Sequence, residues 1–383
     1  MTTQTTQKIL TRDFILAFIA QFALACVFFI LIPTLPIYLS RLGSIEMEIG
    51  VLIGIFSFSS LVVRPFVGRA LIKIPEKSIM IVGVLLYALT SIAYLATPPF
   101  WPFLIVRIFQ GMGYAFFQTA SITLIANTSS EAHRGQSLSS FILAFNVGGA
   151  LAPSLGIFLM DHFGFDVLFL ICSGLSLGSL FVTSRLGSRQ TAPLGDSSLG
   201  KGFFLSRKAI SPSIIGFFPL FILGTLHAFF PLYAINHGMA NPGFFFTTTA
   251  IMLVLGRSLG GRILDLYSRE RIILPCLIAY IISMVLLAFS KTLPMFILVA
   301  AIWGIGHALL IPALVVYALD RVGSAGPAMA TFHAITDLGM SLGPMIMGII
   351  LRLTNYPIMF LCLALISIID LNYFYFFTRK RRD

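Results

Sequence analysis

Twelve apolar stretches, each roughly the ~20 residues that cross a bilayer core as a helix, constrain the fold of this chain more than any other feature of its sequence. They lie at 14–38, 48–71, 78–97, 100–126, 136–160, 165–184, 212–236, 243–264, 272–290, 293–318, 327–351 and 356–377, with short polar breaks between them. Only helices and closed barrels satisfy their backbone hydrogen bonds in lipid, and runs of this length predict an all-α membrane protein with 12 transmembrane helices. Charged residues make up only 10% of the 383, where soluble domains carry about 25%. So few charges cannot clothe a water-facing surface, which excludes a soluble enzyme or a nucleic-acid-binding domain.

The polar segment Met1–Arg12 leads into an apolar run too long for a signal-peptide core, so the first span is expected to be retained. Cys26, Cys172, Cys276 and Cys362 sit far apart in apolar runs, without a CxxC pair or a His/Cys cluster. Neither a disulfide, a metal site nor a cofactor is expected from them.

The stretch 185–211 is longer and more polar than the other breaks. It predicts an N-terminal six-helix bundle over 1–184, a central loop over 185–211 and a C-terminal bundle over 212–383. Assigned to alternate loops, 21 Lys and Arg residues fall on one side, Arg64, Arg69, Arg257 and the basic C-terminal tail among them. Three fall on the other, Arg41, Lys291 and Arg352, while Arg107 lies inside a span. The positive-inside rule then puts both termini and the central loop in the cytoplasm, with a bacterial inner membrane as the expected location. The net charge of +11 is thereby a mark of topology, and no nucleic-acid partner is needed to explain it.

The halves also repeat. Phe141-x4-Asn146-x-Gly148-x3-Ala152-Pro153 in span 5 has the spacing of Phe332-x4-Asp337-x-Gly339-x3-Gly343-Pro344 in span 11. Gly111-x-Gly113-x-Ala115 matches Gly304-x-Gly306-x-Ala308, and Arg64-x3-Gly68-Arg69 matches Arg257-x3-Gly261-Arg262. Three matches in order at offsets of 191–193 residues argue for a duplicated six-helix unit. Parallel repeats about an axis along the membrane normal are a transporter design, with the substrate site between them near the midplane. Gly111, Gly113, Gly148, Gly149, Gly156, Gly339 and Gly343 suit close helix packing. Pro153 and Pro344 remove backbone hydrogen bonds and suit hinges.

These residues resemble the major facilitator superfamily over the whole chain. The segment Gly261-Arg262-Ile-Leu-Asp265-Leu-Tyr-Ser-Arg269-Glu-Arg271 is similar to that family's cytoplasmic G-x-x-x-D-x-x-x-R-x-R loop. Arg107-Ile-Phe-Gln110-Gly111-Met-Gly113-Tyr-Ala115 resembles a span 4 signature of its proton-coupled members, and Gly148-Gly149-Ala-Leu-Ala152-Pro153-Ser-Leu-Gly156 the glycine-proline element of drug:proton antiporters. The resemblance implies 12 helices in two pseudo-symmetric bundles and a cytoplasmic gate. Gly68, Arg69, Gly261, Arg262, Asp265, Arg269 and Arg271 are the residues it assigns to that gate. The first-half loop departs from the pattern, with Ile72 in place of the family's Asp and Pro75 beyond it, so Asp265 is expected to carry the latch alone.

An ionisable group inside the bilayer is costly and is a functional candidate by default. Of the 14 acids, 12 lie in loops or at span ends, and Asp337 and Asp370 lie deeper within spans. Asp337 is about 10 residues into span 11, some ~15 Å at 1.5 Å per residue, near the midplane. Burial disfavours the charged carboxyl, so Asp337 is expected to hold a proton and release it when water or substrate arrives. His333, four residues earlier on the same helix face, is its expected partner in proton transfer, and the resemblance adds Arg107 as a link between proton binding and conformation. Gln21, Gln110, Gln118, Asn146, His227 and His307 are expected to line a substrate cavity, with Asn146 as the uncharged repeat mate of Asp337.

With 37 Phe and few charges, such a cavity suits a small amphiphilic organic compound. The expected function is proton-coupled export by alternating access, the protein acting as a monomer with substrate, protons and lipid as its partners. A proton-coupled importer of a small nutrient, or an uncoupled facilitator, is the alternative. An enzyme is not expected, since no HExxH, GxSxG or phosphate-binding loop is present.

Overall fold

The computed structural model describes residues 11–129, 133–187, 206–322 and 325–379. The chain is all-helical there, and the helices track the apolar runs with a few extra residues at each end. They are α1 (Arg12–Arg41), α2 (Glu46–Ala70), α3 (Glu76–Ala93), α4 (Trp101–Thr128) and a long run, Arg134–Ser184. That run holds two helices, because Gly164 has φ 79° and ψ 177°. Only glycine adopts such a conformation cheaply, and it breaks the axis into α5 (134–163) and α6 (165–184). After the central stretch come α7 (Arg207–Asn236), α8 (Gly243–Leu266), α9 (Arg269–Phe289), α10 (Leu293–Val322), α11 (Ala325–Leu353) and α12 (Tyr356–Tyr373).

Local chemistry sets several ends. Thr11 caps α1 by accepting from the Phe14 amide at 3.2 Å, and Asn355 caps α12 by accepting from Ile358 at 3.0 Å. Both satisfy amides that a helix leaves unpaired at its start. Two expectations for the loops need correction. Residues 207–211 belong to α7, not to a loop, and 188–205 lie outside the described residues. The segment 261–271 is mostly helical, since α8 runs to Leu266 and α9 begins at Arg269. It contains no proline or turn pair that would end α8 earlier.

Among the described residues, nine helices are long and apolar enough to cross a membrane by length and composition. That count takes the α5–α6 run as one helix and leaves out α8 and the polar α4, which carries Arg107, Gln110 and Gln118. Leu89, Leu151, Phe181, Phe289 and Leu298 are each more than half exposed. They belong to an apolar exterior far larger than soluble proteins tolerate, as expected of a multi-pass membrane protein.

The packing partners recur six helices on. The pairs α1–α5, α2–α4, α3–α4 and α3–α6 have their counterparts in α7–α11, α8–α10, α9–α10 and α9–α12. Small residues make these approaches possible: Gly148 and Gly156 of α5 lie on Ala25 and Ile30 of α1, as Gly339 and Gly343 of α11 lie on Phe217 and Phe221 of α7. Gly111 meets Phe56 and Ser59 of α2, and Gly113 meets Gly83 of α3. The two halves join through α2–α11 and α5–α8, which are each other's repeat equivalents, and through α1–α7. One end of the bundle, here the basic end, carries Arg12, Arg69, Arg185, Arg207, Arg269 and Arg321; the far end carries Arg41, Lys291 and Arg352.

Candidate functional site

Glycines let α2 and α11 touch backbone to backbone toward the far end. Gly50 lies against Pro344, Gly54 against Ser341, and Gly348 against Glu46. The Ser341 hydroxyl donates to the Gly54 carbonyl at 3.2 Å, and Arg352 pairs with Glu46 at 3.5 Å. The equivalent pair behaves alike. Gly243 of α8 packs on Pro153 of α5, Thr247 donates to the Ala150 carbonyl at 2.8 Å, and Asn241 donates to the Ser154 carbonyl at 3.2 Å. Pro153 and Pro344 therefore sit in the seams where the halves touch.

Nearer the basic end, the same four helices separate around a cavity of about 340 Å³. Its first-half wall is aromatic, made by Phe28, Phe29, Phe56, Tyr114 and Phe145. Phe28 stacks on Tyr114 with ring centres 5.3 Å apart. Phe245, Phe246 and Trp303 face them from the second half, with Leu223, Leu226 and Met340. Toward the basic end a Cβ on Gly68 would meet nothing within 4 Å, and His333 is exposed. The seams lie on the far side of the cavity and Arg257 on its basic side is exposed, so among the described residues it opens toward the basic end.

Polar groups are few and unevenly paired. Asp337 of α11 forms an ion pair with Arg64 of α2, and both line the cavity. Their side chains retain 22% and 32% exposure. Asp337 is thus a cavity carboxylate bridged to Arg64 of the other half, a partner that the sequence reading, which paired it with His333, did not name. Arg257 of α8, the repeat mate of Arg64, also lines the cavity, as does Asn146 of α5, the mate of Asp337. Arg64 and Arg257, assigned above to loops, are corrected here to cavity residues. The repeat match at Gly68-Arg69 and Gly261-Arg262 is the signal for them in the sequence, because it places both arginines about two turns inside their helix ends.

His227 and His307 line the cavity. His227 meets Phe246 edge to face, with ring centres 5.7 Å apart. His307 is stacked on Trp303 at 5.0 Å, and its Nδ1 is held by the Tyr280 hydroxyl at 2.5 Å. The Trp303 Nε1 and Ser60 Oγ are buried without a hydrogen-bond partner. Gly149 reaches the wall beside Phe29.

Other expected cavity residues lie elsewhere. Gln21 is buried and donates to Gln118 at 3.2 Å between α1 and α4; neither lines the cavity. Gln110 is fully buried, accepting from Arg107 at 2.6 Å and from the Tyr94 hydroxyl at 2.5 Å. Arg107 also donates to the carbonyls of Leu52 at 2.8 Å and Ile53 at 3.3 Å, over the face of Phe56. The guanidinium is spent on α2, next to a side cavity of about 40 Å³, and is not joined to Asp337. His333 lies one turn from Asp337 but outside the cavity wall. Asp370 is buried in α12, away from it.

Of the expected gate, Gly68 and the exposed Arg69 end α2, and Arg271 is exposed at the start of α9. Arg269 pairs with Asp320 of α10 at 3.5 Å. Gly261, Arg262 and Asp265 fall on α8, and their side chains lie outside the described residues.

Comparison with known proteins agrees with this architecture. The family model of the Major Facilitator Superfamily matches residues 17–255 and 240–383. The chain is 23% identical over 373 residues to the staphylopine export protein of Staphylococcus aureus, covering 92% of this chain and 94% of that one. It is 23% identical over 333 residues to the quinolone resistance protein NorA of the same species, covering 83% and 84%. The solved structure of the nucleoside transporter NupG superposes with a TM-score of 0.77 over 96% of this chain and all of that one, at 15% identity. That last likeness speaks to the fold alone.

Proposed function

The chain belongs to the major facilitator superfamily, and from that premise we propose that it is a proton-coupled exporter of small amphiphilic organic compounds. The coupling reading rests on one observation, the ion pair between Arg64 and Asp337 across the seam of the two halves. While Asp337 is ionised, the pair ties α2 to α11 on the cavity side. A proton on Asp337 removes the attraction and frees Arg64.

Pairs of this kind range from about 1 kcal/mol when exposed to about 3–5 kcal/mol for the loss of one partner when buried. Full reversal of a two-state equilibrium from 1:99 to 99:1 takes about 5.5 kcal/mol. A half-buried pair is therefore of the right size to bias the rocking of the halves without locking it.

Export is favoured by the relatives, an export protein and a drug-resistance protein matched over more than four-fifths of both chains. In this reading the basic end faces the cytoplasm with both termini, in a bacterial inner membrane, and the bundles over 1–184 and 212–383 rock as units about the cavity. The open cavity with Asp337 ionised is the form that loads substrate. Asp337 takes up a proton after the cavity turns outward and releases it to the cytoplasm as Arg64 pairs again. The aromatic wall and the small polar inventory suit an amphiphile better than a sugar.

Everted membrane vesicles test this. When energised, they are expected to accumulate 4-phenylbutyrate and similar aromatic amphiphiles in preference to glucose or uridine, and to lose them when a protonophore is added. Accumulation of glucose or uridine alone, or accumulation indifferent to the protonophore, would overturn the proposal.

A further inference from the structure

The repeat relates two arginines and two α5/α11 residues, and the cavity treats them differently. Arg64 on α2 meets Asp337 on α11. By the same symmetry Arg257 on α8 is the counterpart of Arg64, and Asn146 on α5 takes the place of Asp337; all four line one cavity. Asn146 carries no charge, so the second arginine lacks the carboxylate that neutralises the first. Among the described lining residues Asp337 is the sole acid, and it is already engaged. The cavity thus holds one cation in excess.

Arg257 is exposed to the cavity with no carboxylate opposite it among the described residues, and a guanidinium offers a planar fork of donors suited to a carboxylate or phosphate. The remaining unpaired polar groups of the wall include donors: the Trp303 Nε1 and the Ser60 hydroxyl have no partner. Resting on the export reading above, we infer that the substrates are organic anions, and that their acidic group supplies to Arg257 the charge that Asn146 lacks. The apolar part of such a substrate then lies against Phe28, Phe56 and Phe145 on the opposite wall.

Trp101 and Trp303 are the two tryptophans of the chain, and Trp101 is 71% exposed. The Trp101→Phe protein in phosphatidylcholine liposomes therefore reports cavity binding through Trp303 alone. Titrated at pH 7 with 4-phenylbutyrate, 4-phenylbutylamine and 4-phenylbutanol, it is expected to bind the anion roughly tenfold more tightly than the other two, the scale of one charge-assisted hydrogen bond. Arg257→Gln is expected to erase that preference. Asn146→Asp, which restores the symmetric carboxylate while keeping Arg257, is expected to erase it as well. Equal binding of all three probes by the parent protein, or a preference that survives in both variants, would overturn the anion assignment and leave the amphiphile reading standing. A Trp303 signal unmoved by any of the three would count against both.

Discussion

Arg107 and Arg64 are both arginines inside a helical span, yet their surroundings assign them opposite work. Arg107 is 6% exposed and spends its donors on Leu52, Ile53 and Gln110, which braces α4 against α2. A lysine keeps the charge but has no planar fork to hold all three acceptors. Losing one such bond costs about 1.5–3 kcal/mol, or roughly 3–6 °C for a chain of this size. Arg107→Lys is expected to lower the melting midpoint in detergent by that amount, and an unchanged midpoint would remove the bracing role. Arg107 stands out in the sequence because it interrupts an apolar run. Arg64 and Arg257 do not, because each lies near a helix end where a loop residue looks the same. Whether a residue there faces solvent or a cavity depends on which helix stands opposite, and one chain's hydropathy does not carry that. The acid was legible; its partner, 273 residues away, was not.

At the scale of the helix, the glycines divide by what stands next to them. A Cβ on Gly343 would run into the carbonyl of Phe221, whereas one on Gly68 would meet nothing. Overpacking against backbone costs about 1–3 kcal/mol, more than the ~1 kcal/mol that alanine gains over glycine in a helix. Gly343→Ala is therefore expected to lower thermal stability and Gly68→Ala to leave it unchanged or raise it slightly, as followed by scanning fluorimetry. The reverse order would contradict the packing described. Helix positions were legible because apolar runs of this length have few other uses in a membrane. The break between α5 and α6 was legible as a polar interruption, though the structure narrows it to the single residue Gly164. The Gly261–Arg271 segment reads as a loop through its resemblance to the family's cytoplasmic loop, whereas α8 runs to Leu266 and α9 begins at Arg269, because a charged helix end protruding from a bilayer meets solvent equally well.

For the whole molecule, the packing pairs repeat six helices apart, and the sequence repeat pointed to this through three short matches. The seams toward the far end and the opening toward the basic end define one state of an alternating pair. In a protein whose four native cysteines are replaced, Ser57→Cys in the cavity wall is expected to react with an impermeant maleimide applied from the basic end and not from the far end. Adding Gly50→Leu, which forces α2 away from Pro344, is expected to admit the reagent from the far end; equal labelling from both sides without it would contradict the described state. The central claim is that Asp337 and Arg64 join proton binding to this motion. Proton movement driven by 4-phenylbutyrate in proteoliposomes, compared between wild type and Asp337→Asn, tests it most directly. The variant is expected to lose proton movement while still exchanging labelled for unlabelled phenylbutyrate; proton movement equal to wild type in Asp337→Asn would exclude coupling through this carboxylate.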